Sequence, residues 1–280
     1  MPLSAAELRD LRRAKECLEH PSLAVKLTNL IGTPIERGMA LLPKRAASLV
    51  NKVTAKSLRA ALRVALVTMH KKPRPASRLA HKALAVGSGA VGGFFGFLAL
   101  AIELPVSTTI ILRSIADIAR GEGEDLSLPQ SGLACVEVFA FGGASMNDDG
   151  AETGYFAVRS ALTYAVAEAA QFIAEKGFIA EGAPVLVRLV AQVASRFSVA
   201  VSEKFAAQFS PIVGAVGGAA INALFVSHFQ TMATGHFIIR RLERAHGLED
   251  VRRAYLNLDA ILEPPSAKLP APPRIDRGTS

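Results

Sequence analysis

The chain has 280 residues, half of them hydrophobic, with a mean hydropathy of +0.31, 6% aromatics and no Trp. Its apolar character therefore comes from Ala, Val, Leu and Ile, and Ala and Leu favour helix because they lose little rotamer freedom there. Two cysteines, Cys17 and Cys135, far apart and in no CxxC or Cys/His cluster, exclude a zinc framework of about four ligands and read as two reduced thiols.

The net charge of +8 is unevenly spread. Residues 1–82 hold 17 Lys/Arg against 5 Asp/Glu, and no acidic residue occurs between Glu36 and Glu103. A run of that kind is drawn to anionic surfaces. The charged N-terminal stretch lacks the apolar h-region of a secretory signal, so no export is expected.

Residues 4–20 predict a charged helix, with Ser4 as N-cap and Glu7 closing a capping box. A short helix over 22–31 follows and stops at Gly32-Thr33-Pro34. Residues 44–70 form the clearest amphipathic pattern. Arg45, Lys52, Lys56, Arg59 and Arg63 share one face, and Val50, Val53, Leu58, Ala61 and Leu62 lie opposite, a 3.6-residue period. With Lys71 and Lys72 just beyond, these cations are the candidate membrane-binding residues.

Residues 83–102 carry no charge over twenty positions, the length of a membrane span. Their Gly89/Gly93 and Gly92/Gly96 pairs have the GxxxG spacing that lets helix backbones approach closely. Glu103 and Pro105 are expected to end the run. A helix over 106–119 then puts Arg113 and Asp117 four residues apart, in reach of an ion pair. Helices are expected at 128–143, 151–176 and 184–209, with Gly177 and Pro184 marking two ends. A second uncharged stretch, Phe205 to Ile239, includes Gly214, Gly217 and Gly218 in a copy of the earlier GAVGG. A last helix covers about 248–262, and a proline-rich, disordered tail occupies 264–280.

No strand pattern stands out. The expectation is an all-α protein: a single helical bundle of nine or ten helices over residues 1–263, with two Gly-rich apolar helices at its centre. Within it, 1–82 form a basic helical region and 83–263 an apolar core region.

The segments ELPVSTTIILRSIADIARGEGEDL (103–126), CVEVFAFGG (135–143), GYFAVR (154–159) and the long motif from Arg196 to Gly247 resemble the EcsC protein family. The likeness spans most of residues 25–260. It implies a connection with membranes and transport, because the family's founder is encoded beside the subunits of an ATP-binding-cassette transporter. It supplies no catalytic residues, since members carry no assigned activity. No GxxxxGK[ST] is present, so the chain is not itself a nucleotide motor of that type.

Two kinds of function fit these features. The first is a non-enzymatic accessory at the cytoplasmic face of a membrane, binding anionic lipid headgroups or apolar lipid. A transporter or other membrane protein would then be its partner through the glycine faces. A freely cytoplasmic bundle is the simpler alternative. The second is an acid/base or metal-dependent enzyme using Glu103, Glu137, His228 and His236, which lie in apolar helices where burial shifts pKa values. His228 and His236 are two helical turns apart, too far for joint capture of one metal, so no metal or other cofactor is expected. Nucleic acid is not an expected partner either, because residues 1–93 hold no Phe, Tyr or Trp, the first being Phe94, and single-strand readers stack bases on aromatics.

Overall fold

The computed structural model describes residues 3–19, 22–40, 44–68, 96–143, 154–177, 183–208 and 215–258. Ten helices and no strand occur among them. They are α1 (Ala5–Glu19), α2 (Leu23–Ile31), α3 (Ile35–Ala40), α4 (Lys44–Thr68), α5 (Gly96–Gly121), α6 (Pro129–Phe141), α7 (Gly154–Lys176), α8 (Pro184–Gln208), α9 (Ala215–His246) and α10 (Leu248–Leu256). The all-α expectation therefore holds. The tail at 264–280, Gly89, Gly92, Gly93, Gly214, Lys71 and Lys72 lie outside the described residues, as does the side chain of Arg45.

Local chemistry accounts for several helix ends. The Ser4 hydroxyl accepts from the Glu7 N–H at 3.3 Å, and Glu7 accepts in return from the Ser4 N–H at 2.8 Å, completing the expected capping box. Ser22 caps α2, and Gly32 ends it at φ 71°, a left-handed conformation cheap only for glycine. Pro129 opens α6 at a position where its missing N–H is no loss.

Two expected boundaries are wrong. The last helix, α10, ends at Leu256 with Asn257 as its C-cap, short of the expected 262. Pro105 does not end a helix; it lies inside α5. An interior proline forfeits one backbone hydrogen bond and costs about 3 kcal/mol. Burial of Leu104, Ile111, Leu112 and Ile115 along the same helix offsets this, at roughly 1.5–3 kcal/mol per side chain. Tertiary packing, invisible to a local breaker rule, decides the outcome.

The longest helix, α9, packs against α1, α2, α5, α6, α8 and α10, and α4 packs against α5, α6 and α8. Four phenylalanines knit α6, α8 and α9 together. Phe139–Phe197 centroids lie 4.8 Å apart, Phe139–Phe229 5.4 Å and Phe225–Phe229 5.1 Å. Each such pair adds about 0.5–1.5 kcal/mol beyond its buried area. A smaller apolar cluster, including Leu11, Ala14, Phe156, Leu242, Val251 and Tyr255, sits under α1 and α10.

Two glycines allow close crossings that the GxxxG spacing did not point to. A Cβ on Gly235 of α9 would lie 2.7 Å from Leu18 Cγ and 2.9 Å from the Ala14 carbonyl oxygen, so only glycine lets α1 settle onto α9. A Cβ on Gly142 would collide with the Phe229 ring. Of the expected packing glycines, Gly217 is half-buried and Gly218 buried in α9, and Gly96 begins α5.

Candidate functional site

Three helices each contribute side chains one turn apart to a buried polar centre. Glu137 and Phe141 come from α6, Tyr155 and Arg159 from α7, and His236 and Arg240 from α9. An i, i+4 spacing stacks each pair on one helix face. Glu243 and Arg244 extend the α9 row by another turn.

The hydrogen bonds within this centre are short and specific. Tyr155 Oη lies 2.8 Å from His236 Nδ1. Arg159 donates from both terminal nitrogens to the two Glu243 oxygens, each at 2.6 Å, the bidentate geometry that favours Arg over Lys. Arg240 donates to Glu124 at 2.8 and 3.1 Å. Arg244 also donates to Glu124, and Ser131 adds a bond at 2.8 Å. Glu124 stands in the acidic turn between α5 and α6, so this turn clamps the end of α9.

Burial dictates the protonation states. The Glu137 carboxyl is pushed up to about 7, first by burial, with Arg159 and Arg240 pulling back. His236 falls well below its ordinary value, again chiefly through burial and then through the same two arginines. It is a neutral imidazole at any physiological pH, and its Nε2 is buried with no hydrogen-bond partner among the described residues. Burial also holds the Tyr155 phenol above its ordinary range. Burial opposes ionisation of Glu124 too, but the hydrogen bonds and charge of Arg240 outweigh it and lower its pKa.

The four residues singled out for acid/base chemistry do not converge. Glu137 and His236 belong to this centre. Glu103 instead pairs with Lys204 of α8 at 2.5 Å, both buried, with the ammonium 5.0 Å from the Phe225 ring centroid. His228 Nε2 lies 2.9 Å from the Gly142 carbonyl oxygen, and burial takes its pKa down to about 4. Among the described residues, no three His, Cys, Asp or Glu side chains come together as a metal-holding group. Asp117 pairs with Arg120 at 2.7 Å, while Arg113, its expected partner, points outward. The residue three positions along the helix, rather than four, takes the carboxylate.

The basic face of α4 is as its period implies. Lys52, Lys56, Arg59 and Arg63 are exposed, and Val50, Val53, Leu58, Ala61 and Leu62 are buried. Lys52, Lys56 and Arg59 have no carboxylate within ion-pair distance among the described residues. Among those residues one helix, α8, is long and apolar enough to cross a membrane, and over half of its apolar stretch is buried inside the bundle. A soluble core helix passes the same test.

These features define an all-helical protein with a buried ionic centre and, on α4, three exposed cations, Lys52, Lys56 and Arg59, without a carboxylate partner among the described residues. Its class is shown by the family model for the EcsC protein family, which matches residues 5–242, nearly the whole chain. The chain belongs to that family. No curated protein and no solved structure matches it.

Sequence reasoning missed Tyr155, Arg240, Glu243 and Glu124. The available signal was weak: arginines at i and i+4 on an otherwise apolar helix, with glutamates whose partners lie far along the chain.

Proposed function

We propose that this protein is a non-enzymatic accessory that binds the acidic cytoplasmic face of a membrane through α4 and supports a transport or secretion system there. One observation carries the reading. Lys52, Lys56 and Arg59 stand exposed without carboxylate partners among the described residues, whereas the arginines of α7 and of the end of α9 are engaged by carboxylates. Cations without internal partners are free to take lipid phosphates as counter-ions, at about 1 kcal/mol each near an anionic leaflet. The opposite face of α4 is buried against α5 and α8, so the contact is a surface one and α4 itself does not insert. Residues 1–263 are taken as one domain, and the partner as a membrane protein of that system.

The acid/base enzyme is the weaker reading. Glu103 is neutralised by Lys204, and His228 is tied to backbone, so only Glu137 and His236 of the four belong to the polar centre, each beside Arg159 and Arg240.

Vesicle sedimentation tests the proposal. The purified chain is expected to pellet with phosphatidylglycerol vesicles at low salt, to stay in solution with phosphatidylcholine, and to be released by salt as screening shortens the Debye length. Equal binding to both lipids, or none to either, overturns it.

A further inference from the structure

The Glu137 carboxyl stands apart from every other acid in the polar centre. Its side chain is only 4% exposed. The donors around it are spent elsewhere: Arg159 on Glu243, Arg240 on Glu124, and Tyr155 with His236. No described residue hydrogen-bonds its oxygens. A carboxylate in a low-dielectric site without a donor is costly, so the neutral acid is the form such a site accepts.

The charges around it make the ionised form reachable all the same. Arg159 and Arg240, each already paired with a carboxylate, still favour the Glu137 anion, against Glu243. From α7 the groups acting on Glu137 are Tyr155 and Arg159, and from α9 they are Arg240 and Glu243. From the turn after α5, Glu124 reaches the site only through Arg240. From α8, Arg196 reaches the Ala140 carbonyl oxygen at 3.2 Å, and α4 turns no described charge inward.

We propose that Glu137 is a proton-binding site built into this fold: one exchangeable proton on its carboxyl, enclosed by α6, α7 and α9, whose release to water leaves a buried anion and loosens the packing of those three helices. The proton leaves the Glu137 hydroxyl, and the electron pair stays on the carboxylate. The neighbours do not follow it, since the imidazoles of His236 and His228 stay neutral and the Tyr155 phenol stays protonated through neutrality. The site is separate from α4, so it stands or falls independently of the membrane reading.

One other carboxyl, Glu203 of α8, is also pushed up to about 7, by burial and then by nearby Glu36, and it serves as the control. Proton release by the full chain between pH 6 and 8 is measured for the wild type, Glu137→Gln and Glu203→Gln. In parallel, amide exchange in α6 and α7 is followed and corrected for intrinsic rates. The Glu137→Gln protein is expected to release fewer protons than the wild type, by up to about one per chain. Its α6 protection should be independent of pH, where the wild type loses protection roughly tenfold or more. Glu203→Gln should keep the pH dependence of α6. Equal proton release from the wild type and Glu137→Gln overturns the proposal, as does wild-type α6 protection that ignores pH. Should Glu137→Gln fail to fold, the carboxyl-carbon spectrum of glutamate-labelled Glu203→Gln protein decides. One resonance titrating near neutrality supports the site, and none overturns it.

Discussion

The outer face of α4 and the C-terminal half of α9 use the same kinds of residue to opposite ends. On α4, Lys52, Lys56 and Arg59 lie in water with no carboxylate beside them among the described residues. On α9, Arg240, Arg241 and Arg244 are held by Glu124, Asp10 and Glu122, and Arg159 of α7 is held by Glu243. Burial makes the difference. A cation half out of water must bring its anion with it, whereas an exposed one is left to bind something outside the molecule. Net charge alone conceals this, because the cations that matter for binding are those the fold has not used.

The largest effect that would sharpen this contrast comes from breaking a buried pair. Lys204→Ala strands Glu103 among apolar side chains and is expected to cost about 3–5 kcal/mol in urea unfolding. The double change Lys204→Met with Glu103→Leu should recover much of that loss. If the single change costs no more than a surface substitution, the pair is not the buried ion pair described.

Next in size is the pH dependence of Glu137. Its folded pKa, about 7, lies above its ordinary value of 4.5. The stability it contributes is therefore complete below about pH 4.5 and is lost as pH rises through about 7. Glu137→Gln should lack that loss. Relative to the wild type, it is expected to gain up to roughly 3 kcal/mol between pH 5 and pH 8 in denaturant titrations.

Smaller again is Gly235→Ala. The added methyl presses on Leu18 and the Ala14 carbonyl, so α1 should lift from α9, at a cost of about 1–3 kcal/mol. Increased amide exchange confined to α1 is the readout, with the α6–α8–α9 core unchanged.

Smallest in stability is charge reversal on α4. Lys52→Glu, Lys56→Glu and Arg59→Glu together should move the unfolding midpoint little, since exposed sites typically change stability by about 0.5 kcal/mol or less each. Lipid binding should nonetheless be lost. A large loss of stability would show that these cations have partners inside the fold.

Most of the helices were legible in the sequence, because the period of α4, the capping box at Ser4 and Glu7, and the Pro129 and Pro184 starts are all local signals. Pro105 was not, since its cost is met by long-range burial. Two members of the polar centre were legible: Glu137 and His236 stand out as ionisable groups in apolar helices. The rest were not, because His236 meets Tyr155 across 81 positions and Glu243 meets Arg159 across 84. Nothing local distinguishes an arginine destined for a buried glutamate from one destined for solvent, which is why Arg113 looked like the partner of Asp117 and Arg120 takes that place.

Cell fractionation of the wild type and the α4 triple reversal, with high-salt and carbonate washes, puts the role of the free cations to its most direct test. The wild type is expected in the membrane pellet, released by salt alone, and the reversed protein in the soluble fraction. Wild type and reversed protein distributing alike, or a wild type that resists both washes, would contradict it.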